Sequence, residues 1–233
     1  GLQDYFRLEG LAWRLVPVKY GSQGGQPIGI AKDIMYTNVM EDFQWGGMDQ
    51  EGEIYMDENN RRMATNIRLQ MTNLAEAFVR DGDAGRGLDV LNRMLEATPS
   101  RNVPYSRVML PVVELLSELV KDDSLSGEDK ARAASLIKAV GLELFDHLAD
   151  DLMYFISLDD AYYAASESSI QMSLAVNQRV SSALDRALPD DADVQAVVER
   201  MQSLRDNRAS RQRGQRPYTA AFDSEAPGGS KAP

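Results

Sequence analysis

The sequence predicts an all-α protein, and three observations carry that expectation. Apolar residues recur at three- and four-residue steps through most of residues 61–204. Helix-stopping or helix-starting residues separate those runs: Gly82, Pro99, Ser126 with Asp129 three positions on, and Pro189. The 233 residues, 43% of them hydrophobic, suffice for a substantial core.

Composition divides the chain into three zones. Residues 1–60 are rich in aromatic residues and glycine, hold few periodic runs, and read as an irregular segment packing on the helices, with "YGSQGGQPIG" as a loop. Within 61–204, Met63, Ile67, Met71, Leu74 and Phe78 mark one helix face, and Ala84, Leu88, Leu91 and Leu95 repeat it beyond a glycine turn. Val108, Val112, Leu115 and Leu119 mark a third helix. A long fourth holds Ala133, Ile137, Val140, Leu144, Leu148, Leu152 and Phe155 on one side. Met172, Val176, Val180 and Leu184 mark a further helix, and Val194, Val197, Met201 and Leu204 the last. Residues 205–233 place five arginines between Arg205 and Arg216, offer little to bury, and read as a disordered tail.

The stretch "VRDGDAGRGLDV" (79–90) admits three readings. A calcium loop could begin at Asp81 and Asp83, but its fifth position is Gly85, its sixth, which needs glycine, is Arg86, and its twelfth is Asn92 rather than glutamate. A phosphate loop has the spacing of Gly82 and Gly87, but Leu88 and Asp89 stand where Lys-Ser/Thr must reach phosphate and magnesium. A tetratricopeptide-like turn fits better: Leu74, Ala75 and Phe78 pack the first helix, Gly82–Asp83 turn the chain, and Gly87 sits where the helices touch. Leu91 and Met94 pack the second helix and Pro99 ends it. A second, degraded pair runs from Tyr105 to Lys121 and from Gly127 onward. Two such units leave apolar ends, which the N-terminal zone and the helix near 128–157 are expected to cover.

Other candidate chemistry has blander readings. His147 is the sole histidine; with Asp150 and Asp151 one turn on it could present two ligands, yet no second histidine completes a zinc site, so a surface histidine is expected. Asp57 and Glu58 could form an acid pair, but acids ahead of Arg61 and Arg62 better suit a helix start. No G-x-S-x-G turn accompanies the serines. The 11 methionines fall mostly on packing stripes. Without cysteine, disulfides, thiolate zinc sites and thiol catalysis are excluded. The charge of −11 and pI near 4.6 argue against nucleic acid as partner. With only six lysines, the acidic surface fits a salt-adapted proteome. No window approaches the roughly 18 apolar residues of a membrane span. The chain opens at Gly1 with no basic or apolar leader pattern, so it reads as a fragment of a longer protein.

Several runs taken together resemble one family: "YFRLEGLAWRLVPV" (5–18), "DIMYTNVMEDFQWGGMD" (33–49), "YMDENNRRMATNIRLQMTNLAEAF" (55–78), "VLNRMLEATPSRNVPY" (90–105) and "LMYFISL" (152–158). They are similar to the soluble C-terminal region of a bacterial family of multi-spanning membrane proteins related to GT-C-type glycosyltransferases. Among those relatives is the protein O-mannosyltransferase with tetratricopeptide repeats after its membrane part. The resemblance spans roughly residues 1–200; the "GSQGGQ" loop and the arginine-rich end depart from it. It implies a parent enzyme that moves a sugar from a polyprenyl-phosphate carrier to an acceptor on the extracytoplasmic, periplasmic side. The catalytic carboxylates of such enzymes belong to membrane-region loops that this chain lacks. No catalytic, cofactor-binding or metal-binding residue is therefore assigned here. The expected function is docking of an acceptor protein or neighbouring subunit, with membrane attachment through preceding spans and weak anionic-lipid contact through the arginines. The alternatives are a stand-alone cytosolic tetratricopeptide-like adaptor, or a hydrolase using Asp57 and Glu58.

Overall fold

The computed structural model of the chain describes residues 1–23, 26–27 and 29–214. Its body is all-α. Helices α1 (Lys32–Thr37, continued by a π turn, Asn38–Asp42), α2 (Glu58–Arg80) and α3 (Ala84–Ala97) come first. A 3-10 turn, Arg107–Met109, leads into α4 (Leu110–Leu119), followed by α5 (Gly127–Ser157), α6 (Asp160–Ala165), α7 (Glu167–Ala187) and α8 (Ala192–Gln212).

Side chains fix where these helices begin. Asp57 Oδ1 accepts from Asn60 N at 2.8 Å at the head of α2, and Asp83 Oδ1 from Arg86 N at 3.2 Å at the head of α3. Ser126 Oγ accepts from Asp129 N at 3.1 Å and donates to its carboxylate at 2.8 Å, a reciprocal cap for α5. Asp191 receives the amides of Asp193 and Val194 ahead of α8.

Three antiparallel hairpins, α2/α3, α4/α5 and α7/α8, stack in chain order; α7 packs on both α4 and α5, and α8 on α5 and α7. The expected pair turning at Gly82 is present, with Gly82 at φ +85°, which glycine adopts without strain. The two-unit expectation is corrected to three, because the final two stripes pair with each other against α5. The hairpins share one core, with Phe78, Leu91, Met94, Leu116, Leu144, Phe145 and Leu184 fully buried. Two residues of the expected stripes are exposed, Met63 at 65% and Met172 at 53%. Both stand in the early turns of their helices, ahead of the level at which the neighbouring helix covers that face.

The N-terminal zone is less irregular than its composition suggested. Strands β1 (Phe6–Leu8), β2 (Trp13–Leu15) and β5 (Gly29–Ile30) form a three-stranded sheet in the order β2-β1-β5. The stretch read as a loop carries a small ladder of β3 (Ser22–Gln23) and β4 (Gln26–Pro27), pairing Ser22 with Pro27 and Gln23 with Gln26. The expected cover is in place: Leu8, Met35, Val39 and Trp45 join the core, and the Tyr36 ring meets Phe78 edge-on at 5.5 Å.

Two boundaries move. The helical region begins at Glu58, since the Asp57 cap sets its first turn. At the other end α8 continues through Gln212, so residues 205–212 are helical where a disordered segment was expected. Arg211, only 6% exposed, donates to Leu158 O at 2.7 Å, pairs with Asp160 and lies over the Tyr163 ring; Arg208 pairs with Glu167, and Arg205 donates to Gln178. Composition alone treats these arginines as solvated, whereas acids and carbonyls of α5–α7 receive them. Residues 215–233, the rest of that expected tail, lie outside the described residues.

Candidate functional site

The aspartates of the 79–90 stretch are engaged by cations, one from within the stretch and two brought from elsewhere in the fold. Asp81 pairs with Lys32 and Asp89 with Arg132 at 2.8 Å. Arg86 binds Asp83 at 2.6 Å and Asp33 at 2.7 Å while lying 4.3 Å above the Phe78 ring. The Arg86 guanidinium holds the Asp83 carboxyl below the usual carboxylate range. A calcium ion would have to displace these partners and would still lack a twelfth-position carboxylate. Thermal unfolding in calcium, in zinc and in chelator is accordingly expected to coincide; a calcium-dependent rise of several degrees would restore the loop as a metal site.

His147 is exposed on α5, as expected, and its neighbour Asp150 is bound by Arg200, which also holds Asp146. Asp57 and Glu58 are exposed, and Asp57 caps α2.

A trough of about 420 Å³, unanticipated from sequence, opens between the turn that leads into α4, the C-terminal half of α5 and the N-terminal half of α7. Helix lengths explain it. The 31 residues of α5 extend about 46 Å and the 10 of α4 about 15 Å. The two run antiparallel from a short connection, so α5 overruns the start of α4 and its far half loses that cover. Leu148, Asp151 and Phe155, at steps of three and four, place one face of α5 in the gap; Ser169, Met172, Ser173 and Val176 do so from α7. Apolar lining therefore comes from Val108, Leu148, Phe155, Met172 and Val176. Polar lining comes from Arg107, Asp151 and the hydroxyls of Ser106, Ser169 and Ser173. Its size lies within the usual range for ligand clefts, roughly 300–1,000 Å³. The signal available in the sequence was the unequal length of the two helical runs on either side of Asp122–Ser126.

Fold and site together define an all-α stack of three helical hairpins, covered at the α2/α3 end by α1 and its π turn and open along one side in a mixed apolar and polar trough. No family model, curated protein or solved structure matches this chain.

Proposed function

We propose that this chain is a non-catalytic protein-docking module that receives a segment of another protein in the trough between α5, α7 and the leading turn of α4. The observation that carries this reading is the trough itself. It leaves Met172 half exposed in a helix whose other stripe residues are covered, and it offers three hydroxyls that make no side-chain hydrogen bond within the described residues. Stacked helical pairs commonly serve extended partners in this way. The net charge of −11 disfavours nucleic acid there.

The resemblance supplies the setting. The parent would be a membrane glycosyltransferase-like protein, with this domain on the periplasmic side docking an acceptor or a neighbouring subunit. A cytosolic adaptor would use the same trough. The coding sequence upstream of Gly1 separates the two: runs of about 20 apolar residues support the membrane setting, and their absence removes it. Asp57, exposed and capping α2, favours the docking reading over the acid-pair hydrolase. The lipid-binding reading of the five arginines weakens too, since Arg205, Arg208 and Arg211 have partners within the fold.

Docking is tested by titrating the labelled domain with a pool of short extended peptides and following methyl and amide resonances. The Met172 methyl and the Ser169 and Ser173 amides are expected to shift while those of α2 and α3 stay fixed, and Met172→Asp should abolish the shifts. A pool that leaves the Met172 methyl unmoved sinks the proposal.

A further inference from the structure

We infer that the segment taken by the trough carries one cationic and one anionic side chain flanking apolar ones, received by Asp151 and Arg107 respectively. This rests on the trough being the docking site. Arg107 and Asp151 line the same cleft, yet they do not pair with each other. Neither makes an ion pair, a side-chain hydrogen bond or a ring contact with any described residue. Their surroundings differ in this respect. Asp146 and Asp150 are held by Arg200, Asp160 by Arg211, Glu167 by Arg208 and Glu114 by Arg179. These acids of α4 to α7 have cationic partners, whereas the trough holds one charge of each sign with none.

Two unpaired opposite charges select against a uniformly charged occupant. A di-acidic segment gains at Arg107 and loses at Asp151, and a di-basic segment does the reverse. A phosphate backbone or an anionic membrane meets the same cancellation. A segment with both signs gains at both places. The apolar lining from Leu148, Phe155 and Met172 accommodates aliphatic side chains, and the free hydroxyls suit the N–H and C=O groups of an extended backbone. That combination favours a peptide over an apolar small molecule.

The test uses three terminally blocked peptides with a common Leu-Ala-Leu centre, flanked by one aspartate and one arginine, by two aspartates, or by two arginines. Affinities are measured by calorimetry with the full chain and with Arg107→Glu and Asp151→Lys, both at exposed positions where the fold should persist. The unaltered protein is expected to prefer the mixed peptide over either uniform one by about fivefold. Arg107→Glu should transfer the preference to the two-arginine peptide and Asp151→Lys to the two-aspartate peptide, with the contrasts shrinking at high salt. Equal affinity of the unaltered protein for all three overturns the charge assignment while docking in the trough stands. Preferences that survive both substitutions unchanged overturn it as well. Failure of every peptide to bind or to move the Met172 methyl overturns both.

Discussion

Replacing Arg68 by leucine is expected to lower stability by about 3–5 kcal/mol, the largest effect of any single substitution considered for this fold. Arg68 lies in the middle of α2 at 2% exposure and forms no ion pair with a carboxylate among the described residues, Glu143 acting on it only from a distance. Its guanidinium instead gathers the chain between α3 and α4. Nε donates to Thr98 Oγ1 at 3.0 Å, and one terminal nitrogen donates to Thr98 O and Val103 O, each at 2.5 Å. The other reaches Pro104 O at 3.4 Å, and the group stacks 5.0 Å from the Tyr105 ring centre. Burial pulls its pKa down to about 10, so it remains charged at neutral pH and is held by carbonyl dipoles. Leucine would fill part of the volume but leave three carbonyl oxygens without their donor. Lysine, a single ammonium on a flexible stem, cannot serve all three and should recover less than half of the loss. Chemical denaturation provides the measurement; for a domain of this size the leucine variant should melt about 6–20 °C lower. A loss under about 1 kcal/mol would mean that the 98–104 segment is held by something other than Arg68.

The second large effect belongs to Gly87. A Cβ there would lie 2.6 Å from Val79 Cγ2 and 3.2 Å from the Ala75 carbonyl oxygen, so α3 and α2 touch through bare backbone. Gly87→Leu is expected to cost about 1–3 kcal/mol by overpacking, despite the gain in helix propensity that leucine brings. Gly87→Ala separates the causes. Alone it should gain little or lose, because the Val79 methyl must move, whereas Val79→Ala in the same chain should make it favourable by relieving that contact. An unchanged melting temperature for Gly87→Leu, or absence of coupling in the double substitution, would remove the close crossing as a stabilising feature.

The readability of the fold differed between elements for definite reasons. Leu74, Ala75, Phe78, Gly82 and Gly87 announced the first hairpin because a turn and its flanking stripes lie within a few residues of one another. The Ser126–Asp129 cap of α5 was legible for the same reason. Met63 and Met172 kept the helical period yet emerged exposed, since periodicity gives a direction around the helix and not how far along it a neighbour reaches. The small sheet was missed because its strands are two or three residues long, too short for alternation to register. The trough was missed because it arises from the difference in length between α4 and α5.

By itself the sequence determined the six longer helical runs, α2 to α5, α7 and α8, and that α2 and α3 fold back on each other at Gly82; α1, α6 and the last turns of α8 were not legible in it. The legible parts are consequences of backbone geometry, capping and apolar spacing, all of which act over one or two turns. Only the tertiary structure decided what the charged side chains do. Asp81 and Asp89 could have been ion ligands until Lys32 and Arg132 arrived beside them from positions roughly forty to fifty residues away. Arg211 could have been solvated until the end of α5 and the start of α6 met it. Arg107 and Asp151 came to line one cleft, without partners among the described residues, only because α5 overran α4. A charge interacts with whatever lies within a few ångströms of it, and that neighbourhood is set by the packing of distant segments rather than by adjacent residues.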